Sequence, residues 1–304
     1  DVLCLSGKLI WGRFNQSKNT QKKSSGTIKS SPICLIERNN TDMWRIMSTH
    51  YPTDPVLSST AEKVLNVLKQ RGASFFADIA TETKLLNAQV ETGISELVAN
   101  GLVNSDSFIG LRALLTPAYN KPSDNNRRKK KTTFSIEHAG RWTLIPPFVG
   151  TEQDKLNFEY LEKLVFIFAK RWGVVFRKIL EKESFAPPWR ILIRVLRRLE
   201  LQGKLRGGRF ISGVSGEQFA LPEVVKQLRQ IKNIPKTEQL VSISGADPLN
   251  LLGTILPTDR VSNFTNNRIL FLDGLPIAIL ENKEVKFLKP FDKETEWELK
   301  NALI

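Results

Sequence analysis

The segment "KLRGGRFISGVSGEQFALPE", Lys204 to Glu223, mixes glycines with positive charges. Such a mixture suits a loop whose backbone amides hold a phosphate, provided the glycines stand at fixed offsets before a helix. Neither G-x-x-x-x-G-K-[ST] nor G-x-G-x-x-G occurs, and Gly7 lacks the upstream glycine that the first pattern needs. The sequence therefore predicts no nucleotide-binding loop. Gly207 and Gly208 stand between "KLR" and "RFI", which is typical of a two-residue type I′ hairpin turn.

The helix predicted before this hairpin, Pro187 to Gln202, has two contrasting faces. Its two prolines suit a first helical turn. At about 100° per residue, one side collects Leu192, Val195, Leu196 and Leu199, and the other collects Arg190, Arg194, Arg197 and Arg198. Guanidinium groups bind phosphates through paired hydrogen bonds, so the second side indicates contact with a nucleic-acid backbone. The alternative is a solvated face whose arginines pair with acids such as Glu200.

The candidate contact surface extends to neighbouring elements. The predicted nucleic-acid-binding residues are Arg171, Arg177, Trp189, Arg190, Arg194, Arg197, Arg198, Arg206 and Arg209. Trp172 and Trp189 flank the basic region and either stack on an unpaired base or fill helix junctions. Asp247 and Glu217 are the acids at turns beside this region. Either acid could activate water or stabilise a cationic transition state at a bound base. The alternative is that Asp247 caps a turn and that Glu217 makes a hydrogen bond within the hairpin.

The net charge of +14 is concentrated in one part of the chain. Residues 121–240 hold 25 Lys and Arg against 12 Asp and Glu, a net charge of +13, and the rest is nearly neutral. A field of this size attracts polyanions. Arg127 to Lys131 are five consecutive cations, which either form a solvated tether or contact phosphates. His50 and His138 are isolated from each other and from cysteine, so no zinc site is predicted.

Helical and strand patterns predict five segments, with an α+β fold. Residues 1–55 give strand-like stretches at Val2–Phe14 and Pro32–Glu37, split by a polar loop at Asn15–Ser31, and are interpreted as the end of an upstream domain. Residues 56–119 give three helices, the first capped by Ser59 or Thr60, and a hairpin in "LVNSDSFIGLRALL", which is the winged-helix plan. Residues 120–139 form a basic linker. Residues 140–235 repeat the plan, and 236–304 form a small antiparallel β-sheet or barrel.

The last segment has the clearest strand pattern. Strands are predicted at Leu240–Ile243, Arg268–Leu272, Leu275–Leu280 and Val285–Leu288, with turns at Asp273-Gly274 and Asn282-Lys283. The two cysteines, Cys4 and Cys34, form no disulfide framework, which favours a reducing compartment. No apolar run approaches the roughly 20 residues that span a bilayer. Because the chain begins without Met inside a strand pattern, it is interpreted as a fragment.

Three quoted stretches resemble one family. "SSTAEKVLNVLKQRGASFFADIATETKLLNAQVETGISELVANGLVNSDSFIGLRALL", "RWGVVFRKIL…FAPPWRILIRVLRRLELQGKLRGGRFISGVSGEQFALPE" and "DPLNLLGTILP" together resemble the far C-terminal part of the long bacterial Lhr, or large helicase-related, proteins. The resemblance runs from about Asp1 to Phe287. It implies tandem winged helices and a small barrel that follow a superfamily 2 helicase core.

The resemblance also implies a function. The chain would bind single-stranded DNA, or duplex DNA with a tail, for an ATP-dependent helicase in bacterial DNA repair, in the cytoplasm at the nucleoid and away from membranes. ATP and Mg would belong to the upstream core, with no cofactor in this segment. The alternatives are a uracil-excising, AlkZ-like DNA glycosylase and a protein-interaction or oligomerisation region, the latter suggested by the acidic helix Asn87–Asn100. The Q-x-Q or Q-x-D signature of AlkZ-like enzymes is absent at Gln218, so no catalytic residue is carried over.

Overall fold

The computed structural model describes residues 1–13, 33–47, 56–116, 136–145, 157–183, 186–255 and 258–303. They form two compact units, Asp1–Tyr160 and Leu161–Ile304. Both units combine helices with small antiparallel sheets, which confirms the predicted α+β class. The predicted loop at Asn15–Ser31 and the five cations Arg127 to Lys131 lie outside the described residues.

The first unit contains two small sheets and several short helices. Its helices are α1 (Val2–Leu5), α2 (Thr41–Met47), α3 (Ser59–Arg71), α4 (Phe76–Thr83), α5 (Asn87–Ala99) and α6 (Ile109–Leu115). Its strands are β1 (Leu9–Gly12), β2 (Cys34–Glu37), β3 (Ser74–Phe75), β4 (Val103–Ser105) and β5 (Arg141–Leu144). Strands β1 and β2 pair with each other, and the other three form a sheet in the order β3-β5-β4.

Helices α3 and α5 supply half of the buried residues in the core cluster of this unit. Ser58 caps α3, since its hydroxyl accepts a hydrogen bond from the backbone N–H of Ala61 at 3.3 Å. The cap therefore lies one residue before the predicted Ser59. Helix α5 buries the four predicted side chains, Val90, Ile94, Leu97 and Val98. It ends where Gly101 takes a φ of +70°, a conformation that costs glycine little.

The predicted hairpin in residues 102–115 is wrong in its second half. Strand β4 forms as expected, but residues 109–115 continue as helix α6, with Leu111 and Ala113 buried. The partner of β4 is β5, in which Trp142 pairs with Ser105. Gly110 leaves the space that the Trp142 ring fills, because a Cβ there would lie 3.0 Å from that ring. Residues 141–144, which were predicted in the second module, thus complete the sheet of the first unit.

The N-terminal segment also differs from its predicted strand. Val2–Leu5 is helical, and only Leu9–Gly12 pairs with Cys34–Glu37. Trp11 is fully buried and donates from Nε1 to the carbonyl oxygen of Ser107 at 3.1 Å. The segment predicted to end an upstream domain therefore contributes to the same core as α3 and α5. Cys4 and Cys34 are not joined by a disulfide.

The second unit begins with a second set of helices around a three-stranded sheet. The helices are α7 (Phe158–Trp172), α8 (Arg177–Leu180), α9 (Trp189–Leu201), α10 (Pro222–Lys232) and α11 (Lys293–Leu303). Strands β6 (Val174–Val175), β7 (Arg206–Gly208) and β8 (Gln218–Ala220) pair in the order β6-β8-β7. The last of the three strands in the chain, β8, is thus the central one, as β5 is in the sheet of β3, β5 and β4.

Helix α9 starts two residues later than predicted. Pro188 is its N-cap and Pro187 precedes it, so neither proline occupies the first helical turn. A proline at the N-cap keeps the extended backbone that it favours, with φ of −51° and ψ of 137°. Trp189 is then the first helical residue, and Gln202 forms the C-cap.

The predicted turn at Gly207 and Gly208 is wrong. Both residues lie within β7, where they pair with Phe219 and Gln218. The connection between β7 and β8 is instead the longer loop 209–217, in which Gly213 and Gly216 have φ of +76° and +90°. We call residues 206–220 the wing. A Cβ at Gly207 would lie 2.3 Å from Oε1 of Glu200, so a side chain there would displace that carboxylate.

The last four strands follow the prediction closely. Strands β9 (Leu240–Ser244), β10 (Arg268–Leu272), β11 (Leu275–Glu281) and β12 (Glu284–Phe287) form an antiparallel sheet in the order β12-β11-β10-β9. Both predicted turns have two central residues with positive φ, as type I′ turns require. Helix α11, which the sequence pattern did not reveal, covers one face of the sheet with Leu299 and Leu303. Closure of this sheet into a barrel stays a prediction.

Candidate nucleic-acid interface

Helix α9 has the two faces that its sequence predicts. Leu192, Val195, Leu196 and Leu199 are buried, which fixes the rotation of the helix on the core. The opposite side exposes Arg190, Arg194, Arg197 and Arg198, which we call the arginine face. An amphipathic helix anchored in this way presents its charged side to solvent and to any partner there.

One arginine of this face is neutralised within the chain. Arg197 forms a two-pronged ion pair with Glu217 of the wing, at 3.1 Å from Nε to Oε1 and 2.8 Å from Nη2 to Oε2. The hydrogen bond and the charge of Glu217 raise the pKa of Arg197 above its ordinary value. Both side chains remain about half exposed, so water weakens the attraction. Glu217, one of the two candidate catalytic acids, thus makes the wing contact that was its alternative role.

Arg190 and Arg194 differ from Arg197. Both are exposed on α9, and neither has an ion-pair partner among the residues that the structure describes. Glu200, the acid considered as a partner for this face, accepts a hydrogen bond from the backbone N–H of Gly207 at 3.0 Å. The two arginines are therefore available to an external anion.

The wing adds two further cations. Arg206 lies in β7 and Arg209 begins the loop; both are exposed, and within the described ranges neither has an ion-pair partner. Together with Arg190 and Arg194 they give four unneutralised guanidinium groups on one helix and its wing. Such groups suit phosphate oxygens, which they contact through two hydrogen bonds at once.

The wing is held from beneath by one buried amide. Gln218 is fully buried, and its Oε1 accepts from the backbone N–H groups of Phe210 and Ile211 at 2.9 and 2.8 Å. Its Nε2 donates to the carbonyl oxygens of Ile211 and Val214 at 3.0 and 3.2 Å. All four hydrogen bonds that a side-chain amide can make are present. Sequence analysis missed this role, because a lone glutamine in a strand gives no signal of it.

Arg171 and Trp172 belong to a helix junction. Arg171 contacts both carboxylate oxygens of Glu183, at 2.7 and 2.6 Å, and the indole Nε1 of Trp172 donates to the same carboxylate at 2.6 Å. The Glu183 side chain is only 7% exposed. The structure therefore ties Arg171 to the segment just after α8, and its predicted role in DNA binding stays a prediction. Arg177 is exposed at the first residue of α8, and Trp189 is half-buried at the first residue of α9.

Asp247 lies in the loop after β9. It is half-buried, and Oδ1 accepts from the backbone N–H of Leu249 at 2.8 Å, the turn cap that was its alternative role. Close in sequence, the carbonyl oxygen of Asn250 accepts a hydrogen bond from Nζ of Lys182 at 2.9 Å. Burial, followed by the charge of Arg260, lowers the pKa of Lys182.

Within the described residues, no group of three or more His, Cys, Asp or Glu side chains could hold a metal ion. Among the described helices, none combines the length and apolarity needed to cross a membrane.

A helix with buried leucines and exposed arginines, followed by a two-stranded wing, defines a winged-helix domain. A family model described as "Large helicase-related protein, winged-helix domain" matches residues 156–240, which contain α9 and the whole wing. This match confirms the winged helix predicted in the second module.

Two curated relatives resemble most of the chain. An "Lhr helicase/probable uracil glycosylase" of Mycolicibacterium smegmatis is 24% identical over 254 residues, 76% of this chain and 16% of the relative. An "Lhr helicase/uracil glycosylase" of Escherichia coli is 25% identical over 227 residues, 66% of this chain and 14% of the relative. The chain thus spans about one sixth of the length of these relatives. Together with the domain match, these similarities support a relationship of the chain to the C-terminal region of the large helicase-related, or Lhr, proteins.

Proposed function

We propose that the winged helix of the second unit binds DNA through the arginine face and the wing. The observation that carries this proposal is the set of four exposed cations without an internal ion pair, Arg190, Arg194, Arg206 and Arg209, on α9 and the wing. Phosphates supply most of the affinity in such an interface, and the bound counterions that they release make it sensitive to salt. The preferred substrate is single-stranded DNA or a duplex with a single-stranded tail.

The salt dependence of binding tests this proposal. Fluorescence anisotropy of a labelled tailed duplex, titrated with the whole chain between about 50 and 200 mM salt, should give a steep linear loss of log affinity. Four phosphate contacts predict a slope of about −3 to −4, at roughly −0.9 per contact on duplex DNA. A slope near zero, or no measurable binding at the lowest salt, would contradict the proposal.

We further propose the setting in which this domain works. It would hold DNA for an ATP-dependent helicase of Lhr type in bacterial DNA repair, acting in the cytoplasm at the nucleoid. The ATPase core, with ATP and Mg, would belong to the same polypeptide and lie upstream. Both curated relatives carry "helicase" in their names and are several times longer than this chain, which supports this setting.

The first unit is proposed to contain a second winged helix that does not face DNA. Its sheet of β3, β5 and β4 has the same strand order as the sheet of the second module, which supports a tandem arrangement. In α5, the carboxylate of Glu96 accepts from the backbone N–H of Ser58 at 2.8 Å and from its hydroxyl at 2.5 Å. This helix thus holds the start of α3 and has an acidic side that would repel phosphate. Protein interaction or oligomerisation is the role that suits it.

Uracil excision is a second candidate function, because the names of both curated relatives include it. Asp247 is the acid we propose for it, since both carboxylate oxygens of Glu217 accept from Arg197, whereas Asp247 uses Oδ1 alone, in its turn cap. A carboxylate beside an extruded nucleotide can activate water or stabilise the cationic sugar that forms as the base departs.

An Asp247→Asn variant tests this second candidate. Incubation with a uracil-containing single strand, followed by alkali cleavage at abasic sites, should show product with the unchanged chain. The variant should lose at least about 100-fold in rate, a typical contribution of a general acid or base. DNA affinity should stay the same, because Asp247 lies outside the arginine face. No product from the unchanged chain, or equal product from the variant, would exclude this role for Asp247.

A further inference from the structure

A groove of about 560 Å³ lies between the wing and helix α10. The wing lines it with Arg206 and Phe210, and α10 lines it with Val225, Lys226, Arg229 and Gln230. The residues from α10 lie within one turn and a half of each other, at spacings of three and four, so they share one face of the helix. Neither Lys226 nor Arg229 was among the predicted binding residues.

The walls of this groove are positively charged. Arg206, Lys226 and Arg229 are exposed, and the structure, as far as it is described, gives none of them an ion-pair partner. Among the described residues none that lines the groove is acidic, and the nearby Glu200 carboxylate is engaged by the backbone N–H of Gly207. Three cations in one concave surface repel one another, and an anion that enters relieves this repulsion. The groove is therefore suited to a ligand that carries more than one negative charge.

Two apolar side chains also line the groove, Phe210 and Val225, and both are half-buried. The Phe210 ring lies against Gly208, where an added Cβ would come within 3.0 Å of the ring. The backbone N–H of Phe210 donates to the buried amide of Gln218, which fixes the start of the loop. A positioned aromatic ring between cations is the arrangement that proteins use to stack an unpaired base.

We propose that this groove binds an unpaired DNA strand. Arg206, Lys226 and Arg229 contact successive phosphates, and a base stacks on Phe210. The volume lies within the range of small-ligand pockets, about 300 to 1,000 Å³, a size that suits one nucleotide of an unpaired strand. This inference rests on the proposed DNA binding and adds a separate path for a single strand, in which Arg206 is the one cation shared with the surface of α9 and the wing.

The test compares two variants of the whole chain on two DNAs. Lys226→Ala/Arg229→Ala should lose about tenfold in affinity for a labelled oligo(dT), and more at low salt, because two phosphate contacts disappear. Phe210→Leu should lose roughly five- to tenfold on the same oligomer through lost stacking. Lys226→Ala/Arg229→Ala should bind a blunt duplex as well as the unchanged chain does, because both residues lie on α10, outside the arginine face and the wing.

Lys232→Ala/Lys236→Ala is the matched control, since it removes the same charge from exposed positions that do not line the groove. It should lose less than twofold on oligo(dT). Two results would overturn strand binding in the groove: equal losses in the control and in Lys226→Ala/Arg229→Ala, or an unchanged oligo(dT) affinity of Lys226→Ala/Arg229→Ala. The proposed function would still stand in either case if the chain binds duplex DNA in a salt-dependent way. If the unchanged chain binds neither DNA, both proposals fail.

Discussion

Replacement of Arg190 and Arg194 by glutamate is expected to lower the affinity for duplex DNA by at least about 100-fold. Each substitution removes a charge-assisted contact that contributes about 1.5 kcal/mol or more, and each adds an acid that repels phosphate. The slope of log affinity against log salt should also become shallower by about 2, since two counterion-releasing contacts are lost. Anisotropy with a labelled blunt duplex measures both quantities.

The matched control for this variant is Lys63→Glu/Lys69→Glu in α3 of the first unit. Both lysines are exposed, and the substitutions change the net charge by the same amount. This control should lose only the small, general effect of lower net charge, about two- to threefold. Similar losses in the two variants would mean that overall charge, and not the arginine face, determines binding.

The ion pair between Arg197 and Glu217 sharpens the same expectation. Arg197→Ala should reduce affinity less than Arg194→Ala, because Glu217 already neutralises much of the Arg197 charge. A larger loss at Arg197 would show that DNA displaces Glu217 from it. The comparison thus distinguishes a structural ion pair from one that breaks on binding.

The second large effect is expected from Gln218→Leu. Leucine fills similar space but leaves the backbone N–H groups of Phe210 and Ile211, and the carbonyl oxygens of Ile211 and Val214, without their partner. Unpaired buried polar groups cost about 1 to 3 kcal/mol each. Because some of these four groups will bind water instead, the total cost will be smaller than the sum of four full penalties. We therefore expect a loss of at least about 3 kcal/mol in the free energy of unfolding of the second unit.

Hydrogen exchange at the amides of Phe210 and Ile211 gives the most direct measurement, with urea unfolding as the global one. Both amides should exchange at least tenfold faster in the variant. Gln227→Leu on α10 is the control, since Gln227 is exposed and its removal leaves no buried group unpaired. Unchanged exchange at both amides in Gln218→Leu would show that the wing does not depend on this side chain.

Features encoded within a few residues could be predicted from the sequence. The period of apolar residues in α9 gave its buried side correctly, because helical geometry relates neighbours directly. The four C-terminal strands and their Asp273-Gly274 and Asn282-Lys283 turns were also correct, since such turns demand residues that tolerate positive φ.

Features that depend on distant contacts could not be predicted. Gly207 resembles a turn residue, yet its lack of a side chain serves the approach of Glu200 across the edge of β7. The pairing of Arg197 with Glu217 joins residues 20 positions apart. The number of arginines on the arginine face was therefore predicted correctly, but the pairing of Arg197 with an acid was not.

The pairing of β4 with β5 determines when the first module can fold during synthesis. Its central strand, Arg141–Leu144, follows α6 and the 3-10 turn at Ile136–His138, so the chain must leave the ribosome beyond Leu144 before the sheet closes. Until then, the cavity that Trp142 fills is empty, and β3 and β4 present unpaired edges that favour aggregation. The sheet of this module can thus form only late in synthesis, once β5 has left the ribosome.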